Sequence, residues 1–437
     1  MNTPHKHPQS QQNRQSLLRQ LDQREFTVNV FGTIVGAGVY VLIGAGAGLA
    51  GGGLWLAFVL AVVVAGAVTL NYAELASMYP RAGVEYDFLR QAIGPGLIPY
   101  LVGWVLTLNG SATVATLAIG FGQYLDQVWP SVRLLAAVLL IVLLTVAVLA
   151  GLKLDTRANL VMAAVEAGGL LVVIALGATR WSGAQVFEWP QGLGGVLNAS
   201  ALLFFALTGF EDSSKMSEEV MDPTRNIPVG LLTGLGLASL LYVGLSLAVV
   251  QLASAQELAS SEAPLSFAVS RVWGEMGATF VAVVALFSIA NTALFVLVAH
   301  SRLMFAMARG GSLPAGLTRI LPQTSVPWVT TLLAGGLALI MIPLGQVEIV
   351  GSVASWSALL VYASVSASLI FLRLREPNAR RPFRVPLSVG NFPILAAFAI
   401  FASLLLSVRF EWPIIALGIG VAALGVVLYP LLRQERA

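Results

Sequence analysis

A chain of 437 residues with 57% hydrophobic and 10% charged residues is not a water-soluble globule, which carries roughly a quarter charged residues. Its net charge of +3 is read against a membrane rather than as a footprint for nucleic acid. The absence of cysteine excludes disulfides, a disulfide-linked partner, thiolate metal sites and a thiol nucleophile.

Residues 1–25 are polar, Gln-rich and basic, and read as a disordered cytoplasmic tail rather than a signal peptide. Apolar segments long enough to span a bilayer follow, and the pattern predicts an all-α polytopic membrane protein with twelve transmembrane helices. The spans read as 26–49, 54–78, 97–126, 132–151, 157–179, 193–212, 228–252, 277–308, 327–344, 347–372, 392–408 and 412–432. Turn-rich breaks such as Gly51-Gly52-Gly53 and Gly94-Pro95-Gly96 separate them. Ala82–Ile93 and Ser254–Trp273 are mixed in polarity and read as short surface helices. A β-barrel is excluded, because its strands alternate apolar and polar residues.

Charge tests the count. With a cytoplasmic N-terminus, the twelve spans put 20 Lys and Arg residues on the inside and only Arg133, Arg180, Arg271 and Arg409 on the outside. That asymmetry is a positive-inside pattern and predicts two cytoplasmic termini. The 21 arginines against 3 lysines hint at a GC-rich bacterial genome, hence a bacterial inner membrane.

Span one carries Gly32, Gly36 and Gly38 near its middle. Each glycine costs a helix roughly 0.8–1 kcal/mol relative to alanine. Irregular backbone survives in a membrane only where protein buries it or it lines a wet cavity. The stretch reads either as an interrupted helix whose free backbone groups bind a solute or as a small-residue packing seam. Span six has a short apolar run that passes through Gly209 into Glu211 and Asp212. Paired interruptions at corresponding places in two halves point to a transporter binding site. Spans one and six are five apart, which suggests inverted repeats over spans 1–5 and 6–10. The core is then 26–372, with spans 11 and 12 and the C-terminus in 373–437.

Four stretches in order carry a family resemblance: Gly32–Tyr40, Tyr72–Tyr86, Gly209–Asp212 with Ser217–Pro228, and Ser301–Pro314. Together they resemble the amino acid–polyamine–organocation (APC) superfamily. The resemblance implies a five-plus-five inverted-repeat (LeuT-type) fold with helices 1 and 6 interrupted, and secondary transport of amino acids or amines. It implies that Gly36, Ala37 and Gly38 hold the substrate carboxylate, which suits N–H groups at a helix N-terminus. It also implies that Phe205 closes over the substrate, that Thr208 and Gly209 line the pocket, and that Glu211 handles substrate or proton. Glu166 stands mid-span in the fifth helix, where several proton-coupled relatives carry a lysine, so lysine-based coupling does not transfer. An acid there can load and release a proton, ligate sodium, face an amine, or make a structural hydrogen bond.

Ile34, Asn109, Asn291 and Thr292 are further pocket candidates, with polar packing as the alternative. Glu74 and Glu85 flank Arg81 and are expected to pair with it. Asp212 is expected in a wet vestibule, and His300 as a satisfied interfacial histidine. No HExxH, P-loop or metal-ligand spacing occurs, so no cofactor and no enzyme activity are expected. The expected function is proton-coupled amino acid uptake, with Na+ as the alternative coupling ion. Polyamine or organic-cation transport and a transporter-like nutrient sensor are the competing readings.

Overall fold

The computed structural model describes residues 21–80, 83–152, 156–183, 185–344 and 346–432. Most of the expected cytoplasmic tail, together with Arg81, lies outside the described residues.

The chain is helical nearly throughout. Helices α1 (Gln23–Ile34) and α2 (Gly38–Ala50) divide the first apolar run, and α3 (Leu54–Met78) follows a tight turn over Gly51–Gly53. Next come α4 (Val84–Ile93), α5 (Leu97–Val128), α6 (Arg133–Leu149) and α7 (Thr156–Thr179). The second interrupted run is α8 (Gly192–Leu203), a 3-10 turn over Phe204–Leu207, and the short α9 (Phe210–Ser214). Then follow α10 (Pro223–Leu252), α11 (Ala255–Ser260), α12 (Pro264–Arg309), α13 (Trp328–Met341) and α14 (Val347–Arg375). A small antiparallel hairpin, β1 (Ser388–Val389) with β2 (Phe392–Pro393), precedes α15 (Ile394–Ser407) and α16 (Trp412–Leu432).

Among the described residues, eight helical segments are long and apolar enough to cross a membrane, and three further apolar helices are shorter. Apolar side chains left exposed on α6, including Leu134, Leu135, Leu143 and Val146, and on α16, including Ile419, Val427 and Leu431, form faces suited to lipid rather than water. The protein is an integral membrane protein.

Two of the short segments are more buried than their mixed polarity suggests. Helix α4 buries Val84, Tyr86, Phe88 and Leu89, and packs on α14. The segment 264–273 enters α12 directly through a kink at Gly274 (φ 65°) and buries Leu265, Ala268 and Val269. In both, the apolar minority of residues faces the bundle, which an averaged polarity conceals.

The expected pairing of Glu74 and Glu85 with Arg81 falls outside the described residues, but both acids have described partners. Glu74 on α3 is buried and forms a bidentate pair with Arg373 on α14, and it also meets Arg381 at 3.1 Å. The main-chain N–H of Val385 donates to the same carboxylate at 2.7 Å. Glu85 accepts from the Tyr72 hydroxyl at 3.2 Å. The partners of Glu74 lie far along the chain and are brought in by the packing of α14 against α3.

Candidate functional site

The break in the first run is short, and several of its backbone groups have partners. Helix α1 ends at Ile34, whose carbonyl accepts from the Tyr242 hydroxyl on α10 at 2.6 Å. The Val35 N–H donates back to Phe31 O at 2.8 Å. The Ala37 N–H donates to Thr292 Oγ1 on α12 at 3.2 Å. Helix α2 then begins at Gly38, and the first N–H groups of a helix have no partner within it.

The second break crosses the first. After the 3-10 turn, Thr208 is extended (ψ 163°) and Gly209 turns through φ 116°, a left-handed conformation that favours glycine. A Cβ on Gly209 would lie 2.5 Å from Thr33 O, and one on Gly38 would lie 2.9 Å from the Cα of Ala206. The two irregular segments therefore touch at backbone distance, and larger residues at either place would hold them apart. Thr33 and Asn29 of α1 also meet Ser213 of α9, at 2.8 and 3.0 Å.

A cavity opens where the breaks meet. From the first run it is lined by Gly32, Thr33, Ile34, Gly36 and Gly38, and from the second by Phe205, Ala206, Thr208, Gly209, Glu211 and Asp212. Helix α5 adds Asn109, Thr113 and Leu117. Helix α12 adds Asn291, Thr292, Phe295, Val296 and His300. Of the residues named from sequence, Gly36, Gly38, Ile34, Phe205, Thr208, Gly209, Glu211, Asn109 and Asn291 thus share one wall. Ala37 does not line it, and its N–H is already engaged by Thr292.

The hydrogens of this wall are mostly directed away from the space. Thr113 donates to Asn109 O, Thr208 to Phe205 O and Thr292 to Ser288 O, all between 2.7 and 2.9 Å. Asn109 gives its amide hydrogens to Ala354 O and Ser357 Oγ. These side chains therefore keep lone pairs, and Gly36 and Gly38 at the start of α2 line the same cavity. Glu211 Oε2 accepts from the Gly209 N–H at 2.8 Å. Asp212 is paired with Lys215 at 2.6 Å, and both are largely buried, so it is an ion-pair member rather than a vestibule acid.

Glu166 on α7 lies behind the cavity rather than on its wall. It is 1% exposed, and neither of its carboxylate oxygens has a hydrogen-bond partner. Its main-chain carbonyl accepts from the Tyr40 hydroxyl at 3.3 Å. Ser288 and Asn291 of α12 stand beside the carboxyl. His300 is likewise buried, lines the cavity, and has no partner at Nε2, so it is not the satisfied interfacial residue expected. Thr113, Leu117 and Phe295 were not singled out from sequence. They sit inside ordinary apolar helices, and only packing reveals which face they turn inward.

A helical membrane protein with two broken helices around a central polar cavity has the form of a carrier. The amino acid permease family matches residues 21–426, and the chain belongs to that family and to the APC superfamily. The branched-chain amino acid permease BcaP of Bacillus subtilis (strain 168) is 27% identical over 447 residues, covering 97% of this chain and 94% of that protein. The methylthioribose transporter of the same organism is 30% identical over 414 residues, covering 89% and 88%. Cationic amino acid transporter 4, vacuolar, of Arabidopsis thaliana is 32% identical over 387 residues, covering 82% and 63%. The protein is a transporter, not an enzyme.

Proposed function

We propose that the chain is a secondary active transporter that takes up amino acids with protons by alternating access. The observation that carries this reading is the lining of the cavity: Gly36 and Gly38, where α2 begins, share it with Thr113, Thr208 and Thr292, whose hydroxyl hydrogens are spent on main-chain carbonyls. An α-carboxylate suits the first set, because a helix N-terminus favours anions. An ammonium suits the second. Relatives named for branched-chain amino acids, cationic amino acids and methylthioribose differ in chemistry, so the wall of this cavity is the better guide.

In this reading twelve spans form the five-plus-five inverted repeat, with α1/α2 and α8/α9 as the broken first and sixth members. Both termini are cytoplasmic, in a bacterial inner membrane. The outer half is then closed: Gly44 of α2 packs against Leu258 O and Pro264, and Tyr124 donates to Tyr40 O at 3.0 Å. The inner end carries Asp212 and His300. Transport requires α1, α3, α9 and α10 to shift against α5 and α12. Thr292 is one of the contacts that such a shift remakes.

Glu166 is the coupling group. An unpartnered carboxyl behind the first break is a place to hold a proton, since an ionised acid without a partner is costly in hydrocarbon. Sodium is the second reading, favoured by the unpartnered Ser288 Oγ near the two unpartnered carboxylate oxygens.

Uptake into proteoliposomes over a panel of labelled amino acids and polyamines, with an imposed pH gradient, tests the proposal. Gradient-driven amino acid accumulation is expected. Polyamine-only uptake would sink it, and a sodium requirement at fixed pH would replace the proton with sodium.

A further inference from the structure

The residue ahead of the α1 cap is tied to a distant part of the chain. Leu21 forms a parallel β-bridge with Val220, in the link between α9 and α10. The Leu21 N–H donates to Glu219 O at 3.0 Å, and the Met221 N–H donates to Leu21 O at 2.8 Å. Both bridge residues are buried. Neither side of the bridge has slack. Asp22 caps α1 through reciprocal bonds with Glu25, at 2.8 and 3.0 Å, so Leu21 passes straight into the helix. On the other side Asp222 caps α10 and Pro223 opens it, where the proline ring fixes the backbone.

The same partners hold α1 along the rest of its length. Phe26 and Val30 are fully buried and seat on Gly230 and Gly234 of α10, where a Cβ would run into either side chain. Asn29 and Thr33 meet Ser213 of α9 at 3.0 and 2.8 Å. The last carbonyl of α1, Ile34 O, accepts from Tyr242 of α10 at 2.6 Å. On its other side α1 packs on α7. Among the described residues no hydrogen bond joins α1 to α7. One flank of α1 is therefore bonded and interlocked, and the other is in packing contact alone.

We propose that the Leu21–Val220 bridge is a strap that makes α1 move with α9 and α10 as one body, so that α1 does not swing out alone to open the cavity. Sliding is then confined to the seam between α1 and α7, the helix that carries Glu166. The inference rests on the alternating-access reading above, and adds to it a fastening at the N-terminal end of α1. If α1 hinged by itself, two main-chain hydrogen bonds would break, Leu21 would be exposed, and Phe26 and Val30 would leave their seats. Buried backbone groups left without partners are costly. A slide along α7 breaks none of these contacts.

The chain has no cysteine, so a single engineered disulfide tests the strap. Bridged strands lie about 4.8 Å apart, within the span a disulfide closes. The full chain carrying Leu21→Cys and Val220→Cys is reconstituted in proteoliposomes, oxidised, and checked for loss of free thiol. The closed form is expected to take up labelled amino acids at the same rate as the reduced form. Uptake that is lost on closure and restored by dithiothreitol overturns the proposal, and so does a pair that does not close. Spin-label distances give a second readout that does not depend on that variant. With Gln23→Cys and Thr224→Cys labelled, the distance from α1 to α10 is expected to stay the same with and without a mixture of the standard amino acids. With Gln23→Cys and Val161→Cys, on the exposed face of α7, it is expected to shift. A shift in both pairs, or in neither while uptake proceeds, overturns the strap. Wild-type protein that takes up no amino acid overturns the underlying transport reading instead.

Discussion

In the proposed mechanism Glu166 acts through its carboxyl and Gly209 through its backbone. A glutamine at Glu166 keeps the side chain's shape and its place beside Ser288 and Asn291. Glu166→Gln is therefore expected to fold normally and to exchange labelled for unlabelled substrate, but to lose accumulation driven by a pH gradient. Accumulation that survives the change rules out the coupling role. Gly209 acts through backbone. Alanine would have to adopt a left-handed conformation, at roughly 1–2 kcal/mol, and place its Cβ 2.5 Å from Thr33 O. Gly209→Ala is expected to lower both thermal stability and transport, whereas alanine at Gly236, with open space around it, changes neither.

Between elements, buried polar ties set the geometry. The Glu74 carboxylate joins α3 to Arg373 of α14 and to Arg381 beyond it, all nearly inaccessible to water. Removing one partner of a buried pair costs about 3–5 kcal/mol, because the other charge stays buried. Glu74→Ala is expected to show that loss as a large fall in melting temperature in detergent. The tie between Thr292 and the Ala37 N–H is a single neutral hydrogen bond at the first break. Thr292→Val leaves that N–H unmatched, and a shift of about 1.4 kcal/mol would lower apparent substrate affinity about tenfold; equilibrium binding measures it. On α4, burial pushes the Glu85 carboxyl above its ordinary value, with Lys215 opposing. A raised acid binds its proton more tightly folded than unfolded. Its contribution is thus complete below the ordinary value and is lost as pH climbs to the raised one. Glu85→Gln is expected to flatten that decline in a pH series of melting temperatures.

At the scale of the whole molecule, the proposed orientation rests on charge asymmetry. Arginines cluster after α12 and α14, while Arg133, Arg271 and Arg409 lie at the opposite ends of the helices. Since the chain has no cysteine, single replacements report sidedness without background. Asn378→Cys is expected to react with an impermeant maleimide only in inside-out vesicles, and Glu275→Cys only in right-side-out ones. Reaction of both from one side would break the proposed topology.

Helix positions and both interruptions were legible in the chain, because long apolar runs and glycines act locally and the bilayer permits few alternatives. Glu166 was legible for a related reason: an acid inside an apolar run is conspicuous wherever the run folds. The wall of the site was legible in part, since Gly36, Gly38, Phe205 and Gly209 sit at the breaks themselves. Pairings were not. Glu74 meets Arg373 of α14, Ala37 gives its N–H to Thr292, and Thr33 and Asn29 meet Ser213. Each depends on helices hundreds of residues apart arriving at one place. Sequence by itself determined where the helices run and break; only the tertiary structure decided which polar groups are satisfied there and which are left for the substrate, because hydrogen bonding depends on distances that packing alone sets.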